Sequence, residues 1–587
     1  MSRLSPMVRF DGQSLAQEWQ LALIEVRVEK QFQVPSRVTI RFTDPGYALL
    51  SRSSVKLGTV VEVLSPDGDE LAAAEVTAIT CEQRPGEQPE LGIEALDKSH
   101  RLGRDTTVKV YQATKYSDIV RQLALDLGLE LDIDQTEETL DYLMQAESGM
   151  ALITEAARRT GYDWWVDSGV FHFKRPSPDG ARVRLTLGAD LRSFSARASG
   201  LQPSTVVVDG WDRTTQKLVT ASVEEGSVPR PDSKFADLVK PVKAAFGSAS
   251  VVSVGLGVMS VPEARALAQS VLDRAVASAV TAKGTADGDA GVKLGATVEV
   301  SGAGPMTGDY PVTAVEHLYR PSTGFVTRFA SGERRPTTLV DTLAGGAAVA
   351  AYGGPAHLRG GLTVGKVTSN KDEKNMGRVR VRYPGMSSEA ESDWARVLTV
   401  GGGKDRGSVW IPEVDDEVLV GFEGGDARRP VVIGGLFGDT STIPQIEIQD
   451  GKVQSRAMTS RLGHVIAFLD GSTPDKQAIE LQLAGKNTAV HLGKDKVTVT
   501  APGGTPVEIT AGETSVKFSK SGDASIEATN INLKAKAKIS LQAPQIAVQA
   551  DTTLDMKSSL EAKLSGNILE MQGQTVAKLA GGIVAIN

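Results

Sequence analysis

The sequence predicts a mainly β protein with a small α/β insertion and a C-terminal intertwined trimeric β-helix or β-prism. Three observations predict it. Short alternating apolar runs with Pro, Asp and Gly turns fill the first hundred residues, helical spacing is sustained in only three places, and apolar-x-apolar pairs recur from Val497 onward. A chain of 587 residues is long enough for roughly three to five domains.

Residues 1–100 read as strands of a first β-barrel. Leu21, Leu23, Val26 and Val28 keep near-alternation, Val38, Ile40 and Phe42 precede Asp44-Pro45-Gly46, and Val61 and Val63 lead into Pro66-Asp67-Gly68. Residues 101–195 hold the helices. Ser117 is the expected N-cap of a helix carrying Val120, Leu123 and Leu127 on one face, with Gly128 as its stop. A second helix spans Ser148 to Thr160, with Leu152, Ile153, Ala156 and Ala157 inward and Gly161 beyond it; strands at 163–166 and 170–173 follow. Residues 196–335 form a second β-domain with one helix from Pro262, whose Ala264, Leu267, Ala268, Val271 and Leu272 keep the 3.6 period. Residues 336–361 are a Gly/Ala-rich linker, 362–440 a compact set of strands, and 441–587 the shaft.

The shaft has no Trp, Tyr or Cys and only two Phe, Phe468 and Phe518. Its pairs run Val497/Val499, Val507/Ile509, Val516/Phe518, Ile531/Leu533, Ile539/Leu541, Ile546/Val548 and Leu554/Met556. A unit of seven or eight residues is one strand and one turn, too short to fold around its own core. One chain would leave apolar face and strand edges open, whereas three wound together would close both. Ile531, Ile539, Ile546 and Leu554 are therefore expected in the trimer core. Gln545 and Gln549 fall outside it, and Lys534, Lys536 and Lys538 alternate with small Ala535 and Ala537.

Composition excludes several classes. Lys+Arg 64 against Asp+Glu 72 gives a net charge of −8, which disfavours wrapping a nucleic acid duplex. A single cysteine, Cys81, excludes a disulfide framework and a cysteine-built zinc site. The six histidines (His100, His172, His317, His357, His464, His491) have no ligand spacing, so no metal or cofactor is expected. The N-terminus lacks a signal-peptide core and no 18 apolar residues run together, so synthesis in the cytoplasm and export by another route are expected.

The most specific pattern lies at 362–438. It reads G-R-V-x-V-x-x-P through Gly377, Arg378 and Pro384, then W-x-R-V at Trp394. Next comes I-P-E-V-x-D-E-V through Ile411, Pro412, Glu413 and Glu417, and finally Gly425, Asp426 and Pro430. This run resembles the OB-fold domain of spike proteins from contractile injection systems: VgrG proteins, phage tail hubs and their extracellular relatives. Residues 141–173 are similar to the helix-and-strand region of the same family's base, and TSRLGHVIAFLDG (459–471) resembles the entry to its shaft. The terminal Gly581-Gly582-Ile583-Val584-Ala585-Ile586-Asn587 is similar to the blunt end on which a PAAR-type tip protein docks. The resemblance implies a homotrimeric hub and puncturing needle that adapts a hexameric inner tube and the baseplate proteins to a threefold spike. It further implies a tip protein at the apex, effector cargo as passenger, and a target envelope met mechanically after assembly into the baseplate and firing.

Competing readings are weaker. Residues 362–438 carry 11 Lys+Arg against 12 Asp+Glu, a poor groove for a nucleic acid strand, and Trp394 and Trp410 are expected in the core. Gly360 to Lys366 has P-loop spacing, but Val367 stands where a hydroxyl is needed and a strand follows. Asp415, Asp416 and Glu417 read as a solvated turn. No enzyme fits between Gly438 and Gln445, so a non-enzyme is expected. A cell-wall-degrading or carbohydrate-binding tailspike is the alternative, disfavoured by a shaft without Trp or Tyr.

Overall fold

The computed structural model describes residues 5–52, 55–212, 215–253, 258–332, 361–439, 441–444, 447–485 and 487–586. Apart from residue 361, the expected linker lies outside them. Contacts divide the chain into two units, Met1–Thr442 and Ile443–Asn587.

In the first unit the alternation of Val38, Ile40 and Phe42 places all three in the core of the strand Arg37–Thr43. That strand pairs on one side with Glu90–Leu96 and on the other with Leu23–Gln31. The first hundred residues do not close into a barrel of their own. Leu23–Gln31 pairs with Gly308–Arg320 (Gln31 opposite Ala314, Val26 opposite Tyr319), and the sheet continues through Gly324–Ser331, Val280–Asp287 and Leu191–Ala198 to fourteen strands. The cause is the length of Gly308–Arg320. Its first residues pair with Thr297–Ser301 and its later ones, on the same edge, with Leu23–Gln31. One sheet thus serves two cores as two half-barrels. Trp19 stands edge-on to Phe42 at 4.8 Å and to Phe10 at 5.8 Å in one; Tyr310, Phe329 and Leu191 fill the other. Leu21, expected on a strand, lies in the helix Gln17–Ala22 and is exposed, because that helix turns only Trp19 inward.

The helix Tyr116–Leu125 starts before its expected cap. Lys115 holds the cap position without a side-chain bond, and Ser117 is buried inside the first turn, its N–H donated to Thr136 Oγ1 at 3.2 Å. The helix Gly149–Thr160 follows its local code: Ser148 Oγ accepts from Ala151 N at 3.2 Å, and Gly161 takes φ 76° at the stop. Its buried face packs with Trp164, Phe171 and Phe173 on the strands Asp163–Asp167 and Val170–Lys174. The long helix Val261–Ala277 is capped by Ser260 and covers Thr205–Asp212 and Lys217–Val223.

Residues 362–435 form a five-stranded sheet in the order Arg380–Arg382, Leu362–Ser369, Glu417–Phe422, Pro430–Gly435, Arg396–Val397. Val367, Val381, Tyr383, Val418 and Val420 fill its core together with Tyr142 and Met144, which come from the strand Thr139–Ser148.

The second unit is a five-stranded antiparallel meander (Ser455–Thr459, Val465–Asp470, Gln477–Gln482, Ala489–Gly493, Val497–Thr500), then a three-stranded one (Val507–Ala511, Thr514–Phe518, Ala524–Glu527). The pairs from Val497 to Phe518 therefore sit in antiparallel meanders within the chain and are not rungs of a helical stack. Between residues 528 and 586 no strand forms, and residues 531–586 are all exposed.

Candidate functional site

In the OB sheet the motif residues build one tight turn and one joint. Asp372 accepts from the N–H groups of Lys374 (3.1 Å) and Met376 (2.9 Å), and from the Arg378 guanidinium at 2.7 and 3.0 Å. Those Arg378 bonds hold its carboxyl well below the usual carboxylate range. Gly377, at φ 69°, lets the chain reverse there. Arg378 and Arg380 lie over the Trp394 ring at 5.6 and 5.0 Å, so Trp394 is a half-buried stacking platform for cations and not a core residue. Trp410, also expected in the core, is 56% exposed, because the segment bearing it forms no strand.

Pro384 is exposed beyond the last paired residue, Ile411 packs on the core, and the Pro412 carbonyl accepts from Asn370 Nδ2 at 3.2 Å. Glu413 to Asp416 form a solvated turn: Glu413 N donates to Asp416 Oδ2 at 2.8 Å, Asp415 sits at φ 75° and pairs with Lys366 at 3.2 Å, and Glu417 opens the next strand.

The other motif residues lead to a buried ion cluster. Gly425, at φ 73°, turns the chain so that Asp426 chelates Arg428 before Pro430 starts a strand. Arg428 reaches Glu263 Oε1 at 2.8 Å, and Glu263 also accepts from Arg159 at 3.3 Å and from Met259 N at 2.9 Å. Arg159 in turn pairs with Glu155 at 2.9 Å. Burial opposes the Arg428 charge, but Asp426 and Glu263 win and raise its pKa well above the ordinary value. Arg429 extends the joint by donating to the Trp211 carbonyl at 3.0 Å. The helix Gly149–Thr160, the long helix and the OB sheet thus meet at one set of charges, and Tyr142 Oη adds a bond to the Glu391 carbonyl at 3.0 Å. Sequence reading missed Glu155, Arg159, Glu263 and Arg428. Ser260-Val-Pro-Glu263 is a capping-box spacing that could have singled out Glu263, but nothing local signals its partner 165 positions away.

The five-stranded meander of the second unit has one apolar face. Cross-strand register places Met458, Ile466, Leu481, Val490 and Val499 in one row and Phe468, Ile479, Leu492 and Val497 in the next. Except for half-buried Val490, these are exposed between 41% and 67%. The opposite face carries small and polar groups, including Ala467, Ala478 and a Glu480–His491 contact at 2.9 Å. Val507, Ile509, Val516, Phe518 and Ile526 repeat the arrangement on the three-stranded meander. Ile531, Ile539, Ile546 and Leu554 are exposed, as are Gln545, Gln549 and residues Gly581, Gly582, Ile583, Val584, Ala585 and Ile586; Asn587 lies outside the described residues. Among the described residues no acidic, His or Cys group could hold a metal ion, and no helix is long and apolar enough to cross a membrane.

A model of the type VI secretion system/phage-baseplate injector OB domain matches residues 363–437. The matched domain is the one found in the VgrG and phage tail spike-hub proteins of contractile injection systems, which this chain resembles there. It is 31% identical over 128 residues to the type VI secretion system spike protein VgrG1b of Pseudomonas aeruginosa, 20% of this chain and 17% of that one. Over 74 residues it is 39% identical to VgrG3 of Vibrio cholerae, 12% of this chain and 7% of that protein. The matched part thus spans less than a fifth of these VgrG relatives. Among solved structures, the lidless PdpA-VgrG complex superposes with a TM-score of 0.52 over 84% of this chain and 97% of that one, and the half-lidded Francisella complex with 0.51. Both are 8% identical, so the likeness is one of fold. The Alg8 N-terminal domain model also matches, over residues 69–320.

Proposed function

We propose that this chain is a VgrG-type hub and spike of a bacterial contractile injection system and works as a homotrimer without catalysing a reaction. The observation that carries the reading is the uncovered apolar face at 455–500, followed by exposed apolar pairs with no strand partner among the described residues. Monomeric proteins rarely leave such a face in water. Two further copies supply identical rows in register and give the strandless residues 528–586 the partners their backbone groups need. In this reading Ile531, Ile539, Ile546 and Leu554 face the threefold axis; each is less exposed than its partner Leu533, Leu541, Val548 or Met556. The intertwined prism then extends from the meanders to an apex at residues 581–587 that seats a PAAR-type tip protein.

The half-barrels and the insertion, residues 1–335, form the base that joins the threefold spike to a hexameric tube and its baseplate, with the OB sheet as a collar. The mechanism is mechanical: sheath contraction drives the tube, and force passes through hub and collar into the needle and the target envelope. Effector cargo travels with the spike. Light scattering of the purified chain tests the assembly. A mass of about 186 kDa, three times 62.0 kDa, is expected; a stable folded monomer at micromolar concentration would refute it.

A further inference from the structure

Where the long helix meets the OB collar, Glu138 faces a cavity of about 720 Å³. Its carboxyl Oε1 accepts from the Ser260 hydroxyl at 2.6 Å, and Ser260 Oγ also accepts from Glu263 N at 3.2 Å as the helix cap. Glu263, beside it, is already engaged by Arg428, Arg159 and Met259 N. Among the described residues no cation forms an ion pair with Glu138. Two acidic groups therefore share a joint in which Arg428 and Arg159 pair directly with Glu263 and act on Glu138 only through space.

We propose that this joint is a proton-operated latch: Glu138 holds a proton against Glu263 in the closed joint, and losing it loosens the collar from the long helix. The inference goes beyond the hub-and-spike reading and is independent of the oligomeric state.

The groups facing Glu138 come from every neighbouring element. The long helix brings Glu263, the helix Gly149–Thr160 brings Arg159, and Tyr116 opens the helix Tyr116–Leu125. The collar brings Arg428, with Arg378, Arg380, Arg396 and Lys374 as further cations and Asp372, Glu373 and Asp393 as acids. Asp141 and Asp212 complete the charged cavity wall, and Glu137 and Arg175 flank the other side. Burial pushes the Tyr116 hydroxyl up to about 12, so it stays neutral, and Arg378 keeps Asp372 ionised. Glu138 is the carboxyl that this joint shifts toward neutrality. Burial first, then the Glu263 charge, push its carboxyl up to about 7 from 4.5.

The direction follows from linkage. Opening exposes Glu138 to water and returns it to an ordinary carboxylate. At a pH below 4.5 both states hold the proton, and above about 7 neither does. Between these values the closed joint holds a proton that the open one releases, so rising pH favours opening. Allowing for solvent screening of a half-buried group, the opening constant rises roughly tenfold to a hundredfold across this window.

Hydrogen exchange by mass spectrometry on the full-length chain, at about pH 5.5 and about pH 7.5 and corrected for intrinsic rates, reads this directly. Segments 258–268 and 423–430 of the wild type are expected to open at least about tenfold more at the higher pH. Glu138→Gln is expected to stay closed at both, while the 455–500 meander shows no such slope in either protein. A flat wild-type profile at the joint, or an unchanged slope in Glu138→Gln, would overturn the latch.

Discussion

Phe468 gives the assembly reading its sharpest test. It sits in the middle of the apolar face of the five-stranded meander, opposite Arg456 on one side and Ile479 on the other, and is 52% exposed. A phenylalanine carries roughly 200 Å² of surface, so about 100 Å² remains for a partner to cover. At about 25 cal/mol per Å² that is ~2.5 kcal/mol per protomer, or ~7 kcal/mol over three copies. Phe468→Ala forfeits most of it, ~6 kcal/mol per trimer, which is roughly four decades in the association constant. The fold of the single chain should survive, because the side chain is uncovered there. Sedimentation equilibrium in mild urea, or mass photometry after dilution to nanomolar, should show monomer appearing at concentrations where the wild type stays trimeric. Glu480→Gln, on the opposite face, should change the equilibrium by less than about 1 kcal/mol, since its contact with His491 is half-exposed. Equal trimer stability in Phe468→Ala and wild type would refute the argument that this face is the one covered.

Arg428→Ala leaves Asp426 and Glu263 buried without their shared cation, and should cost about 3–5 kcal/mol at the joint; limited proteolysis within 423–430 should accelerate, and an unchanged cleavage rate would show the cluster to be dispensable. Ile546→Asp brings three carboxylates to one level of the proposed prism at several kcal/mol each, so heat and SDS resistance of the trimer should fall. Gln545→Asp should leave that resistance nearly intact, and equal behaviour of the two variants would misplace the axis. Removing residues 581–587 should abolish capture of a PAAR-type tip protein while the trimer persists; undiminished capture in a pull-down would move the docking site elsewhere.

Local signals were legible wherever the physics is local. Ser148 and Gly161 bracket a helix because a cap and a left-handed stop are properties of a few residues, and the alternation of Val38, Ile40 and Phe42 states which face is buried. Ser117 misled because a hydroxyl before an apolar run suits the first turn of a helix as well as its cap, and here the Thr136 hydroxyl donates to it at 3.4 Å. The joining of two half-barrels into one sheet was illegible, since Gln31 and Ala314 meet across 283 positions and carry no mark of each other. The same distance hid Glu263 from Arg428. Trp394 and Trp410 were misplaced because aromatic residues near strands are usually covered, whereas one here serves two arginines and the other lies in a strandless segment. The period of the last segment misled from Val497 to Phe518, because alternating pairs suit an antiparallel meander of one chain as well as a stack of several.

The strand Gly308–Arg320 also sets the unit of exchange for the two half-barrels. One edge of it belongs to the second half-barrel and then, after a shift in register, to the first. A recombinant taking residues 1–100 from a relative would have to match six consecutive partners, Val26 to Gln31 against Ala314 to Tyr319, or leave that length of edge bare. Crossovers between 31 and 314 should therefore yield insoluble chimeras unless both strands come from one parent. The OB sheet faces the same constraint at the charges joining Arg428 to Glu263, so the half-barrels and the OB sheet should exchange only as one cassette, and the breakpoint that leaves both pairings whole lies downstream of the OB sheet.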